Sequence, residues 1–135
     1  MISAGLTKTQ SSSLPIEITA QHADTGKIIA GPLRGRLFDL SKKDACLVTS
    51  QIMDDRYHLF YSTLEDNLLF LNIFFDLDLV LDEHFKVTAT PLWFNIFQQR
   101  HTRSFIMGVE FTRNIKEKTI RKILTGADQH CNGIL

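Results

Sequence analysis

Apolar and polar residues alternate over most of the chain, and this alternation predicts a series of short β-strands. Ile16, Ile18 and Ala20 fall on one face of a first strand, with polar residues between them, and a period of two is the pattern of a half-buried strand. Further strands are predicted at residues 33–40, 45–50, 57–62, 68–75, 84–97 and 105–112. Asp24-Thr25-Gly26 and Gly31-Pro32 are typical turn sequences between strands.

Three of the predicted strands carry features that modify this pattern. The run Leu68–Phe75 is almost continuously apolar, so we expect a strand that is buried on both faces. At a sheet edge the same run would favour a homodimer, and in a central strand it would not. Pro91 indicates a bulge or an edge position. Gly108 indicates a bend or a close approach of another part of the chain.

The period of the apolar residues changes after Asn114, which predicts a helix. The residues of the helical stripe are Ile115, Thr119, Ile120, Ile123 and Leu124. Asn114 is the expected N-cap and Gly126 the expected C-cap of this helix. Six or seven antiparallel strands followed by one helix predict a mainly β fold, an antiparallel barrel with a C-terminal helix packed across an open end.

The length of 135 residues suits one domain. We predict a flexible N-terminal segment over residues 1–13, the barrel with its helix over residues 14–125, and a tail over residues 126–135. Neither a signal peptide nor a membrane span is predicted, because the start is polar and the longest apolar run is short. A cytoplasmic protein with Cys46 and Cys131 as free thiols is therefore expected.

The charge and the motif content exclude several classes of function. Fifteen basic and fifteen acidic side chains give a net charge of zero, which argues against nucleic acid as a partner. The five histidines and two cysteines show neither a helical His pair nor a Cys-x-x-Cys motif. The acidic residues between positions 76 and 83 lack the central glycine of a calcium loop. We therefore predict no enzyme, no metal site, no catalytic residue and no cofactor.

The most specific sequence in the chain is FDLSKKDACLV at residues 38–48, which predicts two strands joined by a polar turn. Asp39 at the strand end and Ser41 two residues later can both accept backbone N–H groups in such a turn. Trp93 lies in a later strand, and Gly108-Val109-Glu110-Phe111 precedes the helix. In this order and at these spacings, the chain resembles the PilZ domain family over most of its length.

The resemblance implies a six-stranded barrel with a C-terminal helix, found in bacterial receptors for the second messenger cyclic di-GMP. The family site combines an Arg-x-x-x-Arg before the first strand with an Asp/Asn-x-Ser-x-x-Gly turn. Asp39 and Ser41 match this turn, whereas Asp44 stands at the glycine position. Asp tolerates a positive φ better than most residues, so we expect the turn to form. Asp44 would also place a negative charge beside a bis-phosphate ligand.

The arginine half of the family site is missing. Lys8 is the only cation in residues 1–13, and Arg34 and Arg36 lie in the second predicted strand, where alternation places both on one outward face. Two guanidinium groups can each bind phosphate or guanine through two hydrogen bonds. Losing both is expected to cost several kcal/mol, which lowers affinity roughly 10²–10⁴-fold.

Two functions follow from the resemblance. One is a bacterial signalling adaptor that acts through protein contacts and binds cyclic di-GMP weakly or not at all. Its protein partner would belong to a motility, pilus or exopolysaccharide system. The alternative is a genuine cyclic di-GMP receptor that uses a non-standard set of basic residues. The candidate binding residues are Lys8, Arg34, Arg36, Asp39, Ser41 and Asp44.

Overall fold

The computed structural model describes residues 14–76 and 84–124, in which six strands form a closed antiparallel barrel. The barrel strands are β1 (Pro15–His22), β2 (Ile28–Leu40), β3 (Asp44–Thr49), β6 (Leu69–Asp76), β7 (His84–Gln99) and β8 (Thr102–Phe111). Two short strands lie outside the barrel, β4 (Met53–Asp54) and β5 (Tyr57–His58). The order around the barrel is β1-β2-β3-β8-β7-β6, and β4 and β5 form a separate two-stranded sheet. Helix α1 spans Tyr61–Leu64, and residues 117–124 form helix α2. The predicted barrel with a helix after its last strand is confirmed.

The interior of the barrel is filled by the apolar side chains that alternation assigns to it. The fully buried large residues include Leu14, Ile16, Ile18, Leu37, Leu47, Leu71, Ile73, Phe75 and Met107. Ile115 and Ile123 belong to the same cluster, so the α2 region contributes to the barrel core. None of the helices in the described ranges is long and apolar enough to cross a membrane. The predicted segments 1–13 and 126–135, with Lys8 and Gly126, lie outside the described residues.

The turn predicted at Gly31-Pro32 is wrong, because both residues lie inside β2. The pairing of β1 with β2 shifts register between Ile18 and Ala20, and a Cβ on Gly31 would lie 2.5 Å from the carbonyl oxygen of Ile18. The Gly-Pro sequence therefore marks an irregularity within a long strand, a position where proline is tolerated. The chain reverses at the other predicted turn, Asp24-Thr25-Gly26.

The strand predicted at residues 57–62 is mostly wrong. Only Tyr57–His58 is a strand, and α1 follows after two residues. Nδ1 of His58 accepts the backbone N–H groups of Phe60 at 3.2 Å and Tyr61 at 3.0 Å. These two hydrogen bonds to the His58 side chain turn the backbone away from an extended conformation. The aromatic composition of the segment gives no sign of this turn.

His58 gives the stability of this region a dependence on pH. Its ring packs against Tyr61 and Phe94, with centroid distances of 4.7 and 5.1 Å. Burial lowers the pKa of His58 below its ordinary value of 6.5. The unfolded chain therefore takes up this proton first, and the stability that neutral His58 contributes is lost as pH falls through about 6.5.

We expect His58→Asn to weaken the pH dependence of stability, because asparagine keeps a side-chain acceptor near the position of Nδ1 but does not titrate. Chemical denaturation should show that the free energy of unfolding falls less in the variant than in the wild type between about pH 7 and pH 5. Equal losses in the two proteins over that range would contradict this role of His58.

Most of the apolar run at residues 68–75 lies in β6, which pairs with β1 on one side and β7 on the other. The strand therefore offers no free edge for a dimer. The expected burial on both faces holds from Leu71 to Ile73 and fails at Phe74, which is 37% exposed. Asn72 is the polar exception, because it is only 2% exposed and donates a hydrogen bond from its amide to Gln21.

The predicted N-cap at Asn114 is wrong by two residues, since α2 begins at residue 117. The carbonyl oxygen of Lys116 accepts the N–H of Ile120 at 3.0 Å, which places the cap at Lys116. The backbone before it is held differently, because the N–H of Ile115 donates to the carbonyl oxygen of Lys42 at 2.9 Å. This contact ties the approach to α2 to the turn between β2 and β3.

Candidate functional site

Ser41 closes the turn between β2 and β3. Its Oγ donates to Oδ1 of Asp44 at 2.6 Å and accepts the N–H groups of Lys43 at 3.3 Å and Asp44 at 3.2 Å. The turn therefore forms as expected, but not through a positive φ at Asp44. Among the described non-glycine residues, only Asp55 and Arg100 have a positive φ. Asp44 replaces glycine by bonding with Ser41 from an extended conformation at the start of β3.

Asp39 reaches the outer face of the barrel through a bulge. The register of β2 against β3 shifts between Leu37 and Asp39, so Phe38 is the additional residue. Leu37 is buried, whereas Asp39 is exposed and pairs with Cys46. One carboxylate oxygen of Asp39 accepts the N–H of Leu40 at 2.9 Å. The carboxylate is thus held at the surface next to the turn.

Four strands bring Asp39, Trp93 and Gly108, three of the residues that carry the PilZ resemblance, into one pocket, whereas Ser41 does not line it. Asp39 on β2, Cys46 on β3, Gly108 on β8 and Trp93 on β7 are successive ladder partners. The pocket has a volume of about 350 Å³. Its lining residues are Phe38, Asp39, Leu40, Asp44, Ala45, Cys46, Leu92, Trp93, Gly108 and Val109. This pocket is called the outer pocket below.

Trp93 lies directly over Gly108 at the base of the outer pocket. A Cβ on Gly108 would lie 2.1 Å from Nε1 of Trp93, so the close approach predicted at this glycine is confirmed. The bulge predicted at Pro91 is also present, since the register of β7 against β8 shifts between Pro91 and Trp93. The indole remains 38% exposed and offers a ring surface on which an aromatic group could stack.

The electrostatics of the outer pocket are acidic. Asp39 and Asp44 line it, and none of its described lining residues is Lys or Arg. Burial, with a further contribution from the charge of Asp39, raises the pKa of the Cys46 thiol to about 12. The thiol is therefore protonated at neutral pH and is a weak donor rather than a nucleophile. Such a site is suited to hydrogen-bond donors and aromatic rings and unfavourable for phosphate.

The two predicted arginines face outward as expected but do not line the outer pocket. Arg34 is exposed, and its Nε lies 3.8 Å from Oε2 of Glu17 on β1. Arg36 is also exposed and pairs with Val48. It is the last outward-facing residue of β2 before the bulge at Phe38. The described ranges contain no group of three or more His, Cys, Asp or Glu residues that could hold a metal ion.

Sequence reasoning missed the apolar part of the outer pocket. Phe38 is the additional residue of the bulge in β2, and Leu92 is the additional residue of the bulge in β7. Cys46 pairs with Asp39 on one side and with Gly108 on the other. A strict period of two assigns residues after a bulge to the wrong face. Pro91 was the only signal of either irregularity, and no signal marked the bulge at Phe38.

Comparisons with known proteins support the fold. No family model and no curated protein matches the chain. Among solved structures, the chain is similar to the crystal structure of the Borreliella burgdorferi PlzA protein in complex with c-di-GMP, with a TM-score of 0.52 and 12% identity. The match covers 94% of this chain and 49% of that one, so the chain spans about half the length of PlzA. At this identity the likeness shows the fold alone, and that fold is the PilZ-like barrel that the sequence predicts.

Proposed function

We propose that this chain is a PilZ-like signalling module that acts through protein contacts and binds cyclic di-GMP weakly or not at all. The single observation that carries the proposal is the acidic outer pocket, where Asp39 and Asp44 face the space that a nucleotide would enter. The function is one of binding rather than catalysis. Its partner would be a protein of a motility, pilus or exopolysaccharide system.

Two further observations support a PilZ-like module. Asp39, Trp93 and Gly108 are far apart in the sequence, yet they line the same pocket. The structurally similar PlzA protein was crystallised in complex with c-di-GMP. The outer pocket is thus the place on this barrel where we expect a PilZ-like module to bind its ligand, and two carboxylates line it.

The charge balance explains why affinity for cyclic di-GMP would be low. The ligand carries two phosphate charges, which the carboxylates of Asp39 and Asp44 would repel, and no Lys or Arg is among the described lining residues to offset this repulsion. Ser41 cannot easily compensate, because its hydroxyl hydrogen is donated to Asp44 at 2.6 Å. Binding would have to break this hydrogen bond as well as overcome the repulsion.

The exposed indole of Trp93 favours the alternative function, a genuine cyclic di-GMP receptor. Stacking of a base on an aromatic side chain contributes about 1–3 kcal/mol. Arg36 is exposed on the outer face near Asp39 and is the first cation to consider, followed by Arg34 and Lys8. In this alternative, Trp93 would bind a guanine and a basic residue would bind phosphate.

The charge of Asp44 provides a direct test. We expect Asp44→Asn to raise the affinity for cyclic di-GMP by roughly tenfold, because asparagine keeps an acceptor for Ser41 but removes one of the two negative charges. Calorimetric titration with millimolar ligand would measure the change, because the wild type is expected to give no heat at roughly 100 µM. Asp24→Asn is the matched control, since this exposed residue lies in the turn between β1 and β2. An equal gain in both variants, or none in Asp44→Asn, would contradict the role of the acidic pocket.

A further inference from the structure

A second groove lies between β7 and the segment that leads into α2. Its volume is about 660 Å³. The lining residues are Phe85, Lys86, Val87, Thr88, Thr112, Arg113, Asn114, Ile115, Lys116 and Thr119. It shares no lining residue with the outer pocket, and the ladder pair Thr90 and Glu110 separates the two along β7 and β8. This second site is called the basic groove.

Three cations surround the basic groove. Lys86 projects from β7, and its Nζ lies 5.9 Å from the ring centroid of Phe74 on β6. Arg113 and Lys116 belong to the segment before α2. All three are exposed, and no carboxylate stands among the described lining residues. None of the three forms an ion pair with a carboxylate of the described ranges. In a chain of zero net charge, this concentration of positive charge favours an acidic ligand.

The base of the basic groove is apolar. Phe85 and Val87 are half-buried and Ile115 is buried. The hydroxyls of Thr88 and Thr112 are hydrogen-bonded to each other, which reduces their capacity to bind a ligand. An apolar centre with a charged rim is the usual anatomy of a protein interface. A compact phosphate, in contrast, is usually held by converging backbone N–H groups.

We infer that the basic groove docks a protein partner through an acidic segment in which an apolar residue is flanked by carboxylates. The apolar residue packs on Phe85, Val87 and Ile115, and the carboxylates face Lys86 on one side and Arg113 and Lys116 on the other. This inference rests on the proposed function, because it supposes that the partner is a protein.

The test is a titration of the full ¹⁵N-labelled chain with the peptide acetyl-Glu-Asp-Leu-Phe-Asp-Glu-amide, followed by amide chemical shifts. We expect shifts centred on residues 85–88 and 112–116 at submillimolar peptide. The double variant Lys86→Glu and Arg113→Glu should weaken binding by roughly tenfold or more. Lys27→Glu with Arg56→Glu makes the same charge change at exposed positions elsewhere, and should weaken binding by no more than about threefold.

Three results would overturn the inference. They are the absence of shifts at millimolar peptide, an equal loss of binding in the two double variants, and binding of inorganic pyrophosphate as tight as that of the peptide. Arg113→Glu alone covers the case in which the double variant does not fold, and it should still weaken binding several-fold. Tight binding of cyclic di-GMP, with shifts around Asp39 and Gly108, would overturn the proposed function and leave this result unaffected.

Discussion

Replacing Phe75 by alanine is expected to lower the free energy of unfolding by about 3–5 kcal/mol. Phe75 is 1% exposed, and its ring stacks on that of Phe85 with a centroid distance of 5.8 Å. Strands on both sides hold the backbone of β6 in the closed barrel. The surrounding residues therefore cannot collapse fully into the space that the ring leaves, which places the loss in the upper range for a core substitution.

Phe74→Ala is the matched control for this prediction. Phe74 is the adjacent residue, points to the other face of β6 and is 37% exposed. Nζ of Lys86 lies over its ring, at 5.9 Å from the ring centroid. We expect a loss of no more than about 1 kcal/mol, measured by denaturant unfolding. Similar losses at the two positions would mean that the register of β6 in the barrel is wrong.

Gly35→Ala is expected to cost roughly 2–3 kcal/mol of stability. A Cβ on Gly35 would lie 2.5 Å from the carbonyl oxygen of Val48 and 2.7 Å from Cγ2 of Thr49. The first of these atoms belongs to the backbone of β3. Because β2 pairs with β1 on its other side, the strand cannot move away without breaking ladder hydrogen bonds.

Gly108→Ala should cost less stability than Gly35→Ala but change the environment of Trp93. The atoms closest to its added Cβ belong to the side chain of Trp93, which is partly exposed and can rotate outward. We expect a stability loss of about 1 kcal/mol but a red shift of tryptophan emission, which reports on Trp93 alone because the chain has one tryptophan.

Gly35→Ala should leave the emission of the folded protein unchanged, since its contacts are with β3. The two glycine variants thus separate a structural position from one that forms the outer pocket. An unchanged emission in Gly108→Ala, or a red shift in Gly35→Ala, would contradict the packing of Trp93 over Gly108.

The strands could be predicted because inward and outward side chains differ in polarity along them. Ile16, Ile18 and Ala20 are all buried in β1, as the period of two requires. The pattern failed at Gly31-Pro32 and at residues 57–62, where a bulge and the hydrogen bonds of His58 determine the backbone. Such contacts are local and specific, so they leave no periodic signal in the sequence.

The motif residues of the candidate site could be predicted from the sequence, whereas its apolar lining could not. The PilZ resemblance identified Asp39, Ser41, Trp93 and Gly108, and the structure places all except Ser41 in the lining of one pocket. Ser41 instead holds the turn together with Asp44. The apolar lining depends on two bulges that shift the register between strands, and shifts of this kind follow from three-dimensional packing rather than from residue order.

The measurement that tests the central claim most directly is a calorimetric titration of the full chain with cyclic di-GMP at low and at moderate salt. Folding would be confirmed beforehand by the emission of Trp93. The acidic outer pocket predicts no measurable heat at roughly 100 µM ligand at either salt concentration. Micromolar binding that weakens as salt is added would contradict the account, because it would require cations such as Arg34, Arg36 or Lys8 to act at the site.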